Sequence, residues 1–326
     1  MHTVHSEDMM ETMKTRILRL EEPIDPLSAA YMKLLREKDK TKRVYDVNPY
    51  VEVYRFRENV YGLLTDSLDG MGAPWMYLII GPEKALLIDT SFGLGNLKGL
   101  VNELTGGMEV ILVNTHASFD HSYGNCQFDR AHAHEYCVPY LQKQLSPRIW
   151  DYLFDDNGNC KWTEFDRKDI IQYKEYEIVG CKNGHIFNLG EDYDVELIFL
   201  PGHQAGHSGY LDKKNRILFG GDDFVSMRIG IGGPKEGMPY GEFATVTALS
   251  RELEKLVKRT DEFDVIFPSH FMVELDNSVV QNLLDACKAV IANPNDYDYL
   301  HTLKGRTYKL KFIKEFGVLG YTDRSV

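Results

Sequence analysis

The sequence predicts a layered α/β fold, and three observations carry that expectation. Short apolar runs with strand character alternate with segments of helical period along most of the 326 residues. Two pairs of these runs are joined by turn-rich linkers and read as hairpins. Several runs also end on histidine or aspartate, and the exit of a strand is where an α/β sheet gathers its chemistry.

Taken in order, residues 1–45 are polar and charge-rich, with a helix expected over 28–43 whose C-terminal half is basic. Strands follow at 51–56 and 60–64. A hairpin is expected from Trp75-Met-Tyr-Leu-Ile-Ile80 and Ala85-Leu-Leu-Ile-Asp89 around the turn Gly81-Pro-Glu-Lys84. A helix over 97–104 and a buried strand over 110–113 come next. The stretch 146–177 departs from the pattern. It concentrates Trp150, Tyr152, Phe154, Trp162, Phe165 and Tyr173 among charges and reads as an insertion, either a lid or a surface subdomain packing its own aromatics. Strands return at 185–187 and 195–200. A second hairpin spans 208–211 and 217–219 around the turn 212–216. The helix expected over 240–259 places Val246, Leu249, Leu253, Leu256 and Val257 on one face. A strand at 265–267 leads to His270. A helix over 278–292 stops at Asn293-Pro294, and a last pair of strands lies within 308–319. The expected organisation is an N-terminal helical extension (1–45), a main domain (46–295) and C-terminal strands completing it (296–326).

Composition narrows the function classes. Hydrophobic residues make up 43% and charged residues 26%, as in ordinary globular chains. A net charge of −12 repels phosphate backbones, so nucleic acid is not an expected partner and a small molecule is. No apolar run reaches the roughly 18 residues of a membrane span. The first residues lack a basic segment followed by an apolar one, so no signal peptide is expected. Five cysteines, irregularly spaced and without a CxxC, fit reduced thiols in a cytoplasm. The N-terminal segment and the tail after Tyr308 are candidate surfaces for a homodimer.

The chemistry concentrates in His116-Ala-Ser-Phe-Asp-His121, Gly202-His203, Gly221-Asp222 and Pro268-Ser-His270, with Asp89 upstream. Imidazole and carboxylate ligands without thiolate suit zinc, manganese or iron. Taken with their order along the chain, these patches resemble the motifs of the metallo-β-lactamase fold superfamily, the hydrolases that include glyoxalase II and lactonases. The motifs are Leu87-Ile-Asp89-Thr, Thr115-His-Ala-Ser-Phe-Asp-His121, Pro201-Gly-His203-Gln-Ala-Gly-His207-Ser, Phe219-Gly-Gly-Asp222 and Pro268-Ser-His270. The resemblance covers roughly residues 50–290.

It implies a four-layer αββα sandwich and two metal subsites, one of His116, His203 and Asp222, the other of Asp120, His121, His270 and Asp222. The third histidine of the first subsite falls at Ser118, so one or two ions, zinc foremost, are expected. Asp89 is expected to brace the ligand loops, Asp120 to orient water or carry a proton, and His207 to hold a ligand in place. The implied activity is a metal-dependent hydrolase in which a metal-bound hydroxide cleaves an ester, thioester, lactone or amide bond of a small molecule. The alternatives are an iron-dependent oxidoreductase of the same superfamily and an inactive small-molecule binding protein. His132 and His134 share one strand face without a carboxylate partner and read as structural. Asp223 is expected to point away from the site. Ser122 and Tyr123 fit substrate, surface or core roles. The glycine-rich 230–237 lacks the Gly-Lys-Ser/Thr of a phosphate loop and reads as a flexible loop at the site mouth.

Overall fold

The computed structural model describes residues 9–10, 13–19, 26–303 and 305–326, so part of the N-terminal extension lies outside the described residues. The first sheet has nine strands, running in chain order from Met9–Met10 to Glu177–Cys181. Its centre is the expected hairpin, Trp75–Ile80 against Lys84–Ile88, with the parallel strand Glu109–Val113 beside it. The second sheet has six strands. Asp194–Phe199, Ser208–Asp212, Ile217–Gly221 and Val265–Pro268 lie side by side within it.

Strand alternation sorts the side chains into layers. Trp75, Tyr77 and Ile79 point to one side of the first sheet and meet Leu197, Tyr210, Ile217, Phe219 and Phe267 of the second. Met76 and Leu78 point to the other side, where they pack on Leu97, Leu100 and Val101 of the helix Leu97–Thr105. The second sheet behaves likewise. Ile198, Leu211, Leu218 and Ile266 turn outward onto the helices Val246–Leu256 and Val279–Ala292. Period-2 patterning on both faces of two sheets therefore gives helix, sheet, sheet and helix, the four-layer αββα sandwich.

The differences from expectation lie at element ends. The N-terminal helix spans Pro26–Lys38, and the chain has already turned into the strand Arg43–Tyr45 at the expected helix end. Arg36 ties that helix to the first sheet through Glu52 at 2.8 Å and Asp66 at 3.3 Å. The long helix expected over 240–259 has α-geometry only over Val246–Leu256, flanked by tighter 3-10 turns. Thr245 caps it by accepting from the Ala248 amide. The C-terminal strands Arg306–Ile313 and Gly317–Tyr321 join Arg228–Gly230 and Tyr299–Leu303 in a separate four-stranded sheet. Leu319 and Tyr321 of that sheet enter the core beneath the helix Val279–Ala292.

The aromatic insertion packs inward as well as on itself. Trp150, Leu153, Phe154 and Phe165 share a cluster with Tyr50, Phe92 and Leu94, and the Trp150 indole donates to the Phe92 carbonyl at 2.6 Å. His134 stacks on Phe199, with ring centroids 4.1 Å apart, and burial pulls its pKa to about 4, so it is a neutral packing residue. His132 donates through Nδ1 to the Leu112 carbonyl. Both histidines are structural.

The inter-sheet layer is the part most sensitive to truncation. Phe219 is fully buried between Tyr77 and Phe267, at 5.0 and 5.8 Å between centroids. Phe219→Ala is expected to cost about 3–5 kcal/mol, measured by denaturant unfolding of the whole chain.

Candidate metal centre

Strand direction brings the site together. Lys84–Ile88 and Glu109–Val113 run parallel, as do Ile217–Gly221 and Val265–Pro268, so Asp89, His116, Asp222 and His270 leave their strands at one rim. His203 follows Asp194–Phe199 at the same rim. The two sheets are fastened there. Ser208 donates its amide to the Thr115 carbonyl, Tyr210 its hydroxyl to the Asn114 carbonyl, and Trp75 its amide to the Ser269 carbonyl. His116, Asp120, His121 and His270 are buried.

Four imidazoles are oriented in the same way. His203 donates through Nδ1 to the Gly230 carbonyl at 2.8 Å, and His270 to the Ala73 carbonyl at 3.1 Å. His121 donates to Asp89 Oδ2 at 3.0 Å. The Thr115 hydroxyl donates to Asp89, which leaves its oxygen to accept from His116 Nδ1 at 3.1 Å. With Nδ1 tied down, each ring turns its Nε2 toward the shared space.

Asp89 is the common acceptor at the start of this loop. It accepts from the Thr115 amide at 2.8 Å, the Thr115 hydroxyl at 2.7 Å and His121.

The inward atoms fall into two groups around Asp222. Nε2 of His121, Nε2 of His270 and Oδ2 of Asp120 lie 3.3, 3.3 and 3.4 Å apart pairwise. Asp222 Oδ1 lies 3.5 Å from both of these nitrogens. Two donors about 2.1 Å from one tetrahedral ion are roughly 3.4 Å apart, so this spacing suits a common ion. Asp222 Oδ2 turns the other way, 4.0 Å from His116 Nε2 and 3.6 Å from His203 Nε2. His116 Nε2 and Asp222 Oδ1 are buried with no hydrogen-bond partner. Buried unpaired donors and acceptors are costly, and a divalent cation would satisfy both. The residues fit the implied metal.

The buried charges are interlocked: against the effect of burial, Asp120 and Asp222 raise the pKa values of His121 and His270. Burial lowers the His116 pKa well below its usual value, and the neighbouring His121, His203 and His207 add to that. Burial opposes ionisation of Asp120, but His121 and His270 outweigh it and hold the carboxyl well below its ordinary range. Asp222 is lowered against the same opposition by His270, His121 and His203.

His207 is not among the inward donors. Its Nε2 accepts from the Asp222 amide at 3.0 Å, and its Nδ1 donates to the Leu200 carbonyl at 2.8 Å. Asp223 turns away from the site, its Oδ2 2.9 Å from His207 Nδ1. Gly221 makes the approach possible. It sits at φ 59°, and a Cβ there would come within 2.3 Å of His207 Nε2. Ser118 starts the short helix Phe119–Ser122, and its side chain caps nothing.

Sequence reasoning missed the clamp on this loop. The Gln204 side chain accepts from the Ala117 amide at 3.0 Å and donates to the Ala117 carbonyl at 2.8 Å. Its place next to His203 was the only available signal. The Ala73 and Gly230 carbonyls had none, because any residue could supply them.

Removing the brace should be measurable without any assay of turnover. Asp89→Ala is expected to weaken metal affinity about 10–100-fold, read by competition with a chromophoric chelator, while the circular dichroism spectrum stays native.

Comparison with known proteins agrees with this geometry. The family model described as metallo-beta-lactamase superfamily matches residues 69–297. An acyl-coenzyme A thioesterase, MBLAC2 of Bos taurus, is 27% identical over 211 residues, 60% of this chain and 72% of its own. The hydroxyacylglutathione hydrolase GloC of Haemophilus influenzae is 31% identical over 85 residues, 26% of this chain and 37% of its own. Among solved structures, the DIM-1 metallo-beta-lactamase superposes with a TM-score of 0.52 at 19% identity, covering 74% of this chain and 99% of its own, a likeness of fold. With its family model spanning both ligand groups, the chain belongs to the metallo-beta-lactamase superfamily.

Proposed function

We propose that this protein is a metal-dependent hydrolase of small-molecule thioesters. The observation that carries the reading is the Asp222 carboxylate, with one oxygen toward His121 and His270 and the other toward His116 and His203. A carboxylate so placed suits one or two divalent ions. Zinc fits the donor set best, and manganese or iron fit it as well. Among the bonds a superfamily hydrolase can cleave, the thioester is favoured because one relative, at modest identity, is named an acyl-coenzyme A thioesterase and another a hydroxyacylglutathione hydrolase.

The metal-holding residues would be His116, His203 and Asp222 on one side and Asp120, His121, His270 and Asp222 on the other. Such an ion supplies Lewis-acid polarisation of a carbonyl and acidifies water. Asp120 is ionised and buried at the centre, so it is the base placed to take the proton of the attacking water. The C–O bond forms as the C–S bond breaks, and Asp120 returns the proton to the departing sulfur. The imidazoles hold their Nε2 atoms inward through their Nδ1 anchors. Asp89 keeps His116 and His121 in register.

The five free cysteines fit a cytoplasmic location. Among the described residues no helix is long and apolar enough to cross a membrane.

Elemental analysis of the purified protein should find at least one divalent ion per chain. Asp120→Ala should lower thioester turnover roughly 10²–10⁴-fold. No metal after reconstitution with zinc, manganese and iron, or unchanged turnover in the Asp120 variant, would sink this reading. Ser118→His should raise metal stoichiometry toward two. An unchanged ratio would mean that water or another residue already completes the first group.

A further inference from the structure

A cavity of about 510 Å³ opens beside His203, and its walls differ in charge from the rest of the molecule. His203, Gln204 and Ala205 form the wall nearest the ligand cluster. Lys235 on the glycine-rich loop and Arg306 and Arg324 from the C-terminal segment line the same cavity. The two carboxylates on the lining are Glu236 and Asp323, and Asp323 is engaged by Lys309 at 2.5 Å. Lys235 and Arg324 have no ion-pair partner among the described residues. In a chain of net charge −12, three cations gathered on one concavity are a local inversion of sign.

The wall is built rather than loose. Arg306 donates to the Gly232 carbonyl at 2.6 Å. Ile231 donates its amide to the Gly320 carbonyl, and Arg228–Gly230 runs parallel to Gly317–Tyr321. Gly233 has φ 79°, and a Cβ there would come within 3.1 Å of the Arg324 carbonyl. The chain end is fixed too, since the Thr247 hydroxyl donates to the Val326 carbonyl at 2.6 Å. Arg306 and Arg324 lie beyond residue 297, where the family match ends.

The structure assigns this cavity as an anion subsite that holds the thiol half of the substrate, a carrier arm bearing phosphate or carboxylate oxygens, with the thioester at His203. The assignment rests on the thioester-hydrolase reading. Concave placement focuses the field of Lys235, Arg306 and Arg324 on such oxygens, and the arginines offer paired N–H donors to them. An uncharged carrier gains none of this.

The test compares wild type with Lys235→Ala/Arg324→Ala, two exposed side chains whose loss leaves the backbone ties in place. Acetyl thioesters of coenzyme A, glutathione and N-acetylcysteamine share an acyl group and differ in the charge of the thiol half. The ratio of kcat/KM for a charged thioester to that for N-acetylcysteamine should fall about tenfold in the variant, mainly through KM. The coenzyme A and glutathione arms separate phosphate from carboxylate recognition. Calorimetric binding of S-methyl-coenzyme A and S-methylglutathione, which cannot be hydrolysed, should weaken about tenfold as well. An unchanged ratio, equal binding by variant and wild type, or no binding of either thioether to the wild type overturns the subsite. If no thioester is turned over while thioether binding still weakens in the variant, the subsite stands and the thioester reading falls.

Discussion

The buried carboxylate of Asp89 is the interaction on which the centre depends. It joins the first sheet to the loop carrying His116, Asp120 and His121, accepting the Thr115 amide, the Thr115 hydroxyl and His121 Nδ1. Asp89 takes up a left-handed backbone conformation to do so, with φ 64°, at a cost of about 1–3 kcal/mol. The cost is tolerated because the group it orders is otherwise unstable. Four imidazoles and two carboxylates converge there, and each imidazole has a partner at Nδ1. The Thr115 hydroxyl extends the reach of Asp89 to His116, so one carboxylate governs a ligand on each side of Asp222.

The second sheet sets its own site residues largely through backbone hydrogen bonds. The Asp222 amide donates to His207, and the Gly221 carbonyl accepts from the Ser269 amide, which sets Asp222 and His270 relative to each other. Gly221 lets the chain pass His207 at a distance no side chain would permit. The rim is thus held by short-range hydrogen bonds between strand exits, and the inter-sheet aromatic layer beneath it supplies the rigidity. Tyr77 belongs to both systems, with its ring among Phe219 and Phe267 and its hydroxyl donating to the Pro268 carbonyl.

Much of this was legible in the sequence because it follows from periodicity and residue type. Continuous apolar runs at 75–80 and 217–219 beside turn residues were enough to place both sheet centres, and the ligand types at strand exits were enough to collect the site. Three things were not legible. The break of the helix after Leu256 and the early end of the first helix at Lys38 depend on local competition between turn types, which periodicity does not resolve. The strand Arg228–Gly230 drew no expectation because a three-residue edge strand is defined by its partner, Gly317–Tyr321, far away in sequence. The anchors of His203 and His270 are backbone carbonyls of Gly230 and Ala73, and a carbonyl leaves no mark on the residue that owns it.

Ser118 is best understood by separating its backbone from its side chain. Its carbonyl accepts from the His121 and Ser122 amides and from the Ser122 hydroxyl, so it starts the turn that aims Asp120 and His121. Those bonds are indifferent to the side chain at position 118. On the other side, Gln204 clamps both backbone groups of Ala117, and His116 is held through Thr115. The loop therefore keeps its course whether position 118 carries a hydroxyl or an imidazole. Loss of a donor there removes one lone pair from the His116 and His203 group without disturbing the geometry of Asp120, His121 and His270. The two groups share Asp222 and the Asp89 brace, yet position 118 bears on only one of them, so a change of side chain there leaves the other intact.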